Sequence, residues 1–257
     1  MILSLLTLSP MTSSEIYNAA QLMERIQQVG FLPLLDSGIR GFSAEEMVAE
    51  DCRYVTFPDG GWDWPLWKWK GPVVTEGNCV YGKFFNKKAG FVSRAWWPDL
   101  CNYRRSQHPQ PAPGTIEDAI LATLQEHGSL ITRQLRALCG FTGPKAPSKR
   151  VQKQDGLYSA EHEVVRPKVN MRSRFDAIIT RLQMGCYIVT EDFVYPLDRH
   201  HHEYGWGWSL LTTPEQLYGA EACQSSRPPE ESFQRMLTHL HTLLPNVEEK
   251  ALRRMIM

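Results

Sequence analysis

The densest group of side chains that could perform chemistry is three consecutive histidines followed by a glutamate, at residues 200–203. Imidazole and carboxylate groups bind transition metals. Consecutive residues cannot all face one ion from a regular strand, and neither a cysteine nor a second histidine pair completes a tetrahedral set. We therefore predict no metal site here, but a polar turn whose imidazoles could also contact phosphate.

The short motifs of the common catalytic folds are missing. No GxxxxGK[ST], GxGxxG, GxSxG or HExxH pattern occurs, which argues against nucleotide hydrolysis, dinucleotide redox, serine hydrolase and zinc-peptidase chemistry. Gln152 and Gln154 form a Gln-x-Gln triplet in a lysine-rich loop, where such a pair arises readily by chance. The six cysteines form no Cys-x-x-Cys pair and are interpreted as reduced, mostly buried thiols. We predict a cytoplasmic protein without a cofactor.

The elements that would position a site begin with an amphipathic helix over residues 14–29, followed by a short apolar strand over residues 31–35. A capping pattern, Ser-Ala-Glu-Glu, predicts a second helix over residues 43–49. Alternating residues on both sides of Asn86-Lys87-Lys88 predict a β-hairpin. Six of the eight tryptophans lie between Gly60 and Arg105, and we interpret them mainly as an aromatic core.

Beyond a proline-rich crossing at residues 107–114, the periodicity predicts three helices and two strands. Thr115 caps the first helix, Thr132 begins the second, and the third, a candidate recognition helix, runs from Met171 to Met184. Strands follow near residues 186–190 and 206–211, an order typical of a winged helix. We predict an α+β, mainly helical protein with an N-terminal subdomain (1–110), a winged-helix domain with a basic insertion (115–219, insertion 141–170) and C-terminal packing helices (228–257).

Charge is segregated along the chain although the formal net charge is zero. Residues 83–105 carry six basic side chains against one acidic one, and residues 142–185 carry nine against four. The rest of the chain must therefore be acidic. One interpretation places the basic side chains of residues 83–105 on the outside of the hairpin, where they could meet phosphates. The other lets them project to water from an aromatic core.

Two stretches carry a resemblance to a known family. The segment TIEDAILATLQEHGSLITRQL, followed by RPKVNMRSRFDAIITRLQMGCYIVTEDF and TTPEQLYG, resembles the second winged helix of the AlkZ-type DNA glycosylases. WKWKGP and YGKFFNKKAGFVSRAWWPDLCNYRR resemble the segment that precedes that domain. The resemblance covers about two thirds of the chain and implies a tandem winged-helix architecture with an aromatic-rich basic hairpin. It also implies a shortened relative, since the family's C-terminal β-rich domain has no counterpart here.

The resemblance also implies one catalytic candidate. Active members use a Gln-x-Gln or Gln-x-Asp motif after the first helices, which positions a water molecule for attack on the sugar carbon. The corresponding stretch here is residues 31–36, in which Asp36 matches the second member and Leu34 replaces the glutamine. Without that amide, part of the electrostatic arrangement for the reaction is missing.

Three hypotheses follow from these patterns. The first is a protein that binds double-stranded DNA by backbone and shape, in DNA repair, and the second is a monofunctional glycosylase that uses Asp36. The third is a winged-helix module that binds other proteins or regulates transcription. The nucleic-acid-binding candidates are basic residues of the hairpin segment, the insertion and the third helix: Lys83, Lys87, Lys88, Arg94, Lys149, Arg150, Lys168, Arg172, Arg174 and Arg181.

Overall fold

The computed structural model describes residues 15–58, 60–141, 172–203 and 205–257, with side chains in the helix that starts at Arg172 described from Phe175 onward. Over these residues the protein is a mixed α/β structure, 48% helical and 18% strand, with an antiparallel sheet. Within the described residues, no helix is both long and apolar enough to cross a membrane.

Capping side chains begin the first two helices, although the first starts at Ala19 and not at residue 14 as the sequence predicts. Asn18 accepts a hydrogen bond from the Gln21 amide at 3.0 Å, and Ser43 accepts one from the Glu46 amide at 3.3 Å. Each side chain satisfies a backbone donor that the first turn of a helix leaves free. The elements are α1 (Ala19–Val29), β1 (Phe31–Pro33) and α2 (Ala44–Met47).

The aromatic segment forms the predicted hairpin, but also two long helices that its composition does not reveal. Trp97 is fully buried, in agreement with an aromatic core, whereas Trp62 is exposed. The elements are α3 (Glu50–Arg53), β2 (Val55–Thr56), β3 (Trp62–Asp63), α4 (Pro65–Glu76), β4 (Cys79–Phe85), β5 (Lys88–Ser93) and α5 (Trp97–Gln107).

The second half follows the predicted order of helices and strands. The Thr115 hydroxyl accepts from the Asp118 amide at 3.2 Å, which confirms the predicted cap. The elements are α6 (Ile116–His127), β6 (Leu130–Ile131), α7 (Thr132–Leu138), α8 (Arg172–Met184), β7 (Val189–Val194) and β8 (Trp208–Thr212). Three further helices complete the chain: α9 (Pro214–Tyr218), α10 (Pro229–Leu243) and α11 (Glu249–Ile256).

One six-stranded sheet connects the two halves, in the order β1-β5-β4-β7-β8-β6. Its centre is the pairing of Tyr81 in β4 with Thr190 in β7. On one side of this sheet, β1 pairs with β5 and β5 pairs with β4. On the other side, β6 pairs with β8 and β8 pairs with β7, so the two sides have the same pairing pattern. A large hydrophobic cluster surrounds the first half and α10–α11, and a smaller one joins α6, α7 and α8.

Candidate nucleic-acid interface

Asp36 lies on the surface, immediately beyond the end of β1. The Leu34 amide donates to the Ala89 carbonyl at 2.9 Å, so the backbone that leads to Asp36 stays attached to β5. The Asp36 carboxylate accepts from the Gly38 amide at 2.8 Å, which fixes its rotamer in a tight turn. The carboxylate is therefore both exposed and held in one place.

The tip of the β4–β5 hairpin brings lysines to Asp36. Asn86 and Lys87 both have positive φ, 48° and 68°, as the two-residue turn of a right-twisted hairpin requires. The Lys88 ammonium donates to the Asp36 backbone carbonyl, and Lys87 and Lys88 are both exposed. The hairpin tip thus places two positive charges beside the one catalytic candidate.

A further cation reaches the same place from the other end of the chain. A small cleft beside Asp36 is lined by Ser37, Asn86 and Arg254, and the arginine, on α11, is exposed. We call Asp36, Lys87, Lys88 and Arg254 the basic corner. The sequence predicts α11 only as a packing segment, and the one signal for its role is the Arg253-Arg254 pair.

Lys83 connects the hairpin to the third helix of the second half. Its backbone amide donates to the Gln183 side chain at 2.8 Å, and its ammonium lies 3.5 Å from the Thr180 hydroxyl. Gln183 is buried, so this contact anchors β4 to α8. The basic corner therefore has a fixed position relative to α8.

Two other candidate nucleic-acid-binding residues, Arg94 and Arg181, are not part of the basic corner, and each already contacts another side chain of the protein. The Arg94 guanidinium stacks over the Tyr218 ring at 3.8 Å, beyond the end of β5 opposite Lys88. Arg181 forms an ion pair with Glu117, although 64% of its side chain is exposed. Glu117 offsets the charge that a phosphate would meet at Arg181.

The interpretation that all basic side chains of residues 83–105 face outward is wrong for two of them. Arg104 is fully buried and donates to backbone carbonyls, while Arg105 pairs with Glu215 at 2.6 Å. A count of charges along the chain cannot distinguish a cation that satisfies buried carbonyls from one on the surface. Five candidates lie outside the residues or side chains that the structure describes: Lys149, Arg150, Lys168, Arg172 and Arg174.

A family model for AlkZ-related proteins matches residues 16–257, nearly the whole chain. The chain belongs to the AlkZ-related family. No curated protein and no solved structure matches it. Membership in the family suggests a DNA glycosylase-like or DNA-binding function, and implies that the chain binds nucleic acid.

The histidine segment of this AlkZ-related protein forms the polar turn that the sequence predicts. The Asp198 carboxylate accepts from the backbone amides of His200 and His202 at 2.7 and 3.0 Å, and His201 has a positive φ of 65°. This turn lies between β7 and β8. Among the residues that the structure describes, no group of three His, Cys, Asp or Glu side chains could hold a metal ion.

A buried lysine is the feature of the AlkZ-related chain that the sequence analysis missed. Lys70, on α4, is only 1% exposed, and its ammonium lies 3.2 Å from the centre of the Trp67 ring and 3.6 Å from that of Phe193. Burial away from water lowers the pKa of this amine from its usual 10.5 to about 7. A single lysine among tryptophans gives no sequence signal of burial.

Proposed function

We propose that this AlkZ-related protein binds double-stranded DNA mainly through the sugar–phosphate backbone, with the basic corner as a contact. The observation that carries this proposal is that three exposed cations adjoin the Asp36 turn: Lys88 contacts it, Lys87 precedes Lys88 at the hairpin tip, and Arg254 lines the cleft beside Ser37 and Asn86. Exposed lysines and arginines neutralise phosphates without reading the bases, and groups that recognise bases are few at this corner. Recognition by backbone and shape follows from that composition.

The strand pairing supports a tandem winged-helix architecture. In a winged helix, a short strand between the first two helices pairs with the last strand of the hairpin that forms the wing, as β6 pairs with β8. The first half repeats this pairing, with β1 against β5, so the β4–β5 turn would be the first wing. We propose a boundary between these winged helices at residues 110–115.

A cytoplasmic location stays a prediction, supported by six free cysteines.

The two proposed wings differ in charge, and this difference favours DNA binding by the first. The turn between β4 and β5 carries Lys87 and adjoins Lys88, whereas residues 191–208, which include the second wing, carry four acidic and one basic side chain. Phosphates are attracted to the first turn and repelled by the second. Lys83 holds the first turn in place through Gln183 of α8.

We expect the double substitution Lys87→Glu and Lys88→Glu to weaken duplex binding for all sequences alike. Loss of two phosphate contacts should reduce the slope of log affinity against log salt by about 2. Fluorescence anisotropy with a labelled duplex over a range of salt concentrations measures both quantities.

The matched control is Arg199→Glu, because this exposed arginine lies in the acidic second wing. This reversal of one charge should change the affinity much less than the single substitution Lys87→Glu does. Equal losses in both variants would show that net charge, not the basic corner, controls binding. The proposal fails if the unmodified protein shows no measurable duplex binding at low salt.

A second candidate function is base excision by Asp36. The exposed carboxylate, fixed by Gly38 and placed beside Lys88, could polarise water next to a bound sugar. Leu34, which replaces the family's glutamine, is buried and supplies no polar group. Asp36 would therefore have to position the water without the family's amide.

If the protein is a glycosylase, Asp36→Asn should slow the release of free base from an alkylated duplex about a hundredfold, because the variant keeps the shape but loses the negative charge. Chromatography of the released base under single-turnover conditions measures the rate. Glu45→Gln, a nearby carboxylate variant, should leave it unchanged. An unaltered rate in the Asp36 variant would remove this carboxylate from the mechanism.

A further inference from the structure

Five aromatic rings form a continuous row on the surface, which we call the aromatic ladder: Tyr54, Trp62, Trp64, Trp67 and Trp206. Ring centres are 4.7 Å apart for Trp67 and Trp206, 5.3 Å for Trp64 and Trp67, and 6.3 Å for Tyr54 and Trp64. Trp62 continues the row at 6.4 Å from Tyr54. The ladder thus joins the β2–β3 hairpin and α4 to the loop between β7 and β8.

Three of these rings are largely open to water. Trp62 is 59% exposed, Trp206 is 57% exposed and Tyr54 is 53% exposed. Single exposed aromatic residues are common, but exposed rings that are joined through the half-buried Trp64 and Trp67 form a patch of the kind that marks an interaction surface. Tryptophan and tyrosine are also the residues that most often carry binding energy at interfaces.

The segments that build the ladder are acidic. Residues 45–70 carry six acidic and three basic side chains, and residues 191–208 carry four and one. The three basic residues of the first segment are already engaged: Lys68 pairs with Asp63 at 2.6 Å, Arg53 donates to the carbonyls of Glu46 and Val48, and Lys70 is buried against Trp67. One acidic group also contacts a ring residue directly, since the Tyr54 hydroxyl donates to Glu45 at 3.1 Å.

This combination of rings and acids selects the charge of the partner. Aromatic platforms that stack nucleic-acid bases lie in positively charged grooves, because the phosphates must be neutralised. The acidic surroundings here would repel phosphate and attract guanidinium or ammonium groups. The outer faces of the rings differ in this respect from the inner face, where Lys70 lies against Trp67 away from water.

We propose that the aromatic ladder is a docking surface for an arginine- and lysine-rich segment of a partner protein. Cationic side chains stack on the open faces of Trp62, Tyr54 and Trp206 while the surrounding carboxylates neutralise their charge. This surface shares no ring or cation with the basic corner.

Isothermal titration calorimetry of the full chain with a short arginine- and glycine-rich peptide tests the proposal. We expect saturable binding that weakens with salt, and Trp62→Leu should reduce the affinity about two- to thirtyfold, the range of one cation–π contact. Trp62→Phe should retain most of it, because phenylalanine keeps an aromatic face that leucine lacks. Leu35→Ala, an exposed apolar residue outside the ladder, should have no effect.

Trp206→Leu tests the ladder from its other end, and thermal unfolding of each variant establishes that it is folded. Equal affinity in Trp62→Leu, Trp206→Leu and the unmodified chain would overturn the proposal. So would equally tight binding of a glutamate-rich peptide or of single-stranded oligothymidylate, or self-association of the chain that the Trp62 variant abolishes. Duplex affinity should stay unchanged in these variants, so the outcome does not depend on the proposed DNA binding.

Discussion

Replacing Arg104 with leucine is expected to lower the free energy of unfolding by about 3–5 kcal/mol, the cost of breaking a buried, hydrogen-bonded charge site. The guanidinium donates to four backbone carbonyls, in β4, α8 and α11. Burial lowers the pKa of this arginine. Leucine fills part of the volume but leaves all four acceptors without their donor, and an unsatisfied buried carbonyl is costly. The acceptors are those of Phe84, Met184, Met255 and Ile256.

Equilibrium unfolding in urea measures the loss. Arg253→Leu is the matched control, because this arginine is partly exposed on α11 and pairs with Glu249, so its removal should cost less than about 1 kcal/mol. Arg104→Lys should recover little of the loss, since one ammonium cannot reproduce the planar fork that reaches three elements. A loss below that of the control would mean that the carbonyls find other donors.

The elements that the sequence predicts well are those whose signals are local. Ser43 and Thr115 accept from the third residue of their helices, and the periodicity of α6 and α7 matches the observed bounds closely. The β4–β5 hairpin was also predictable, because alternation on both sides of a polar turn fixes its register. None of these predictions needed knowledge of distant residues.

Helices α4 and α5 could not be recognised from their periodicity. The α4 sequence contains Gly71 and Pro72 in its interior, and its two tryptophans, Trp67 and Trp69, are only partly buried. The only usable signals were Pro65 and Pro98, which stand in the first turns of the two helices, where proline is favoured. Tertiary packing, not local preference, determines these helices.

The candidate site was predictable only in part. Asp36 was identified through the family resemblance and the lysines through their position at a turn, but only the strand pairing of β1 with β5 shows that they meet. Arg254 is separated from Asp36 by most of the chain, so no local pattern could connect them. The charge count of residues 83–105 also included a residue that does not belong to the surface, because Arg104 is buried in the core.

Replacing Lys70 with methionine is expected to stabilise the protein by about 3 kcal/mol at pH 7. A pKa lowered from 10.5 to about 7 corresponds to a cost of roughly 4 to 5 kcal/mol for keeping the charged amine buried, and the contacts with Trp67 and Phe193 offset about 1 to 2 kcal/mol. Methionine keeps the length of the side chain without a charge. The gain should be measurable as a higher urea midpoint.

The pH dependence of the free energy of unfolding distinguishes the removal of a buried charge from an improvement in packing. Between pH 7 and 10.5 the unfolded chain binds a proton at Lys70 that the folded chain does not, so the stability contributed at this site rises with pH. The advantage of the Lys70→Met variant should therefore be greatest near and below pH 7, and should fall toward zero above pH 10.5.

Lys68→Met provides the comparison on the same helix, because Lys68 is exposed and pairs with Asp63. That variant should change stability by less than about 1 kcal/mol, with no trend between pH 7 and 10. If Lys70→Met instead destabilises the protein up to pH 10.5, and this loss disappears as the pH rises further, the two rings hold the ammonium more favourably than water does. The ladder's inner face would then be a strong cation site, and its outer face should share that preference for positive charge.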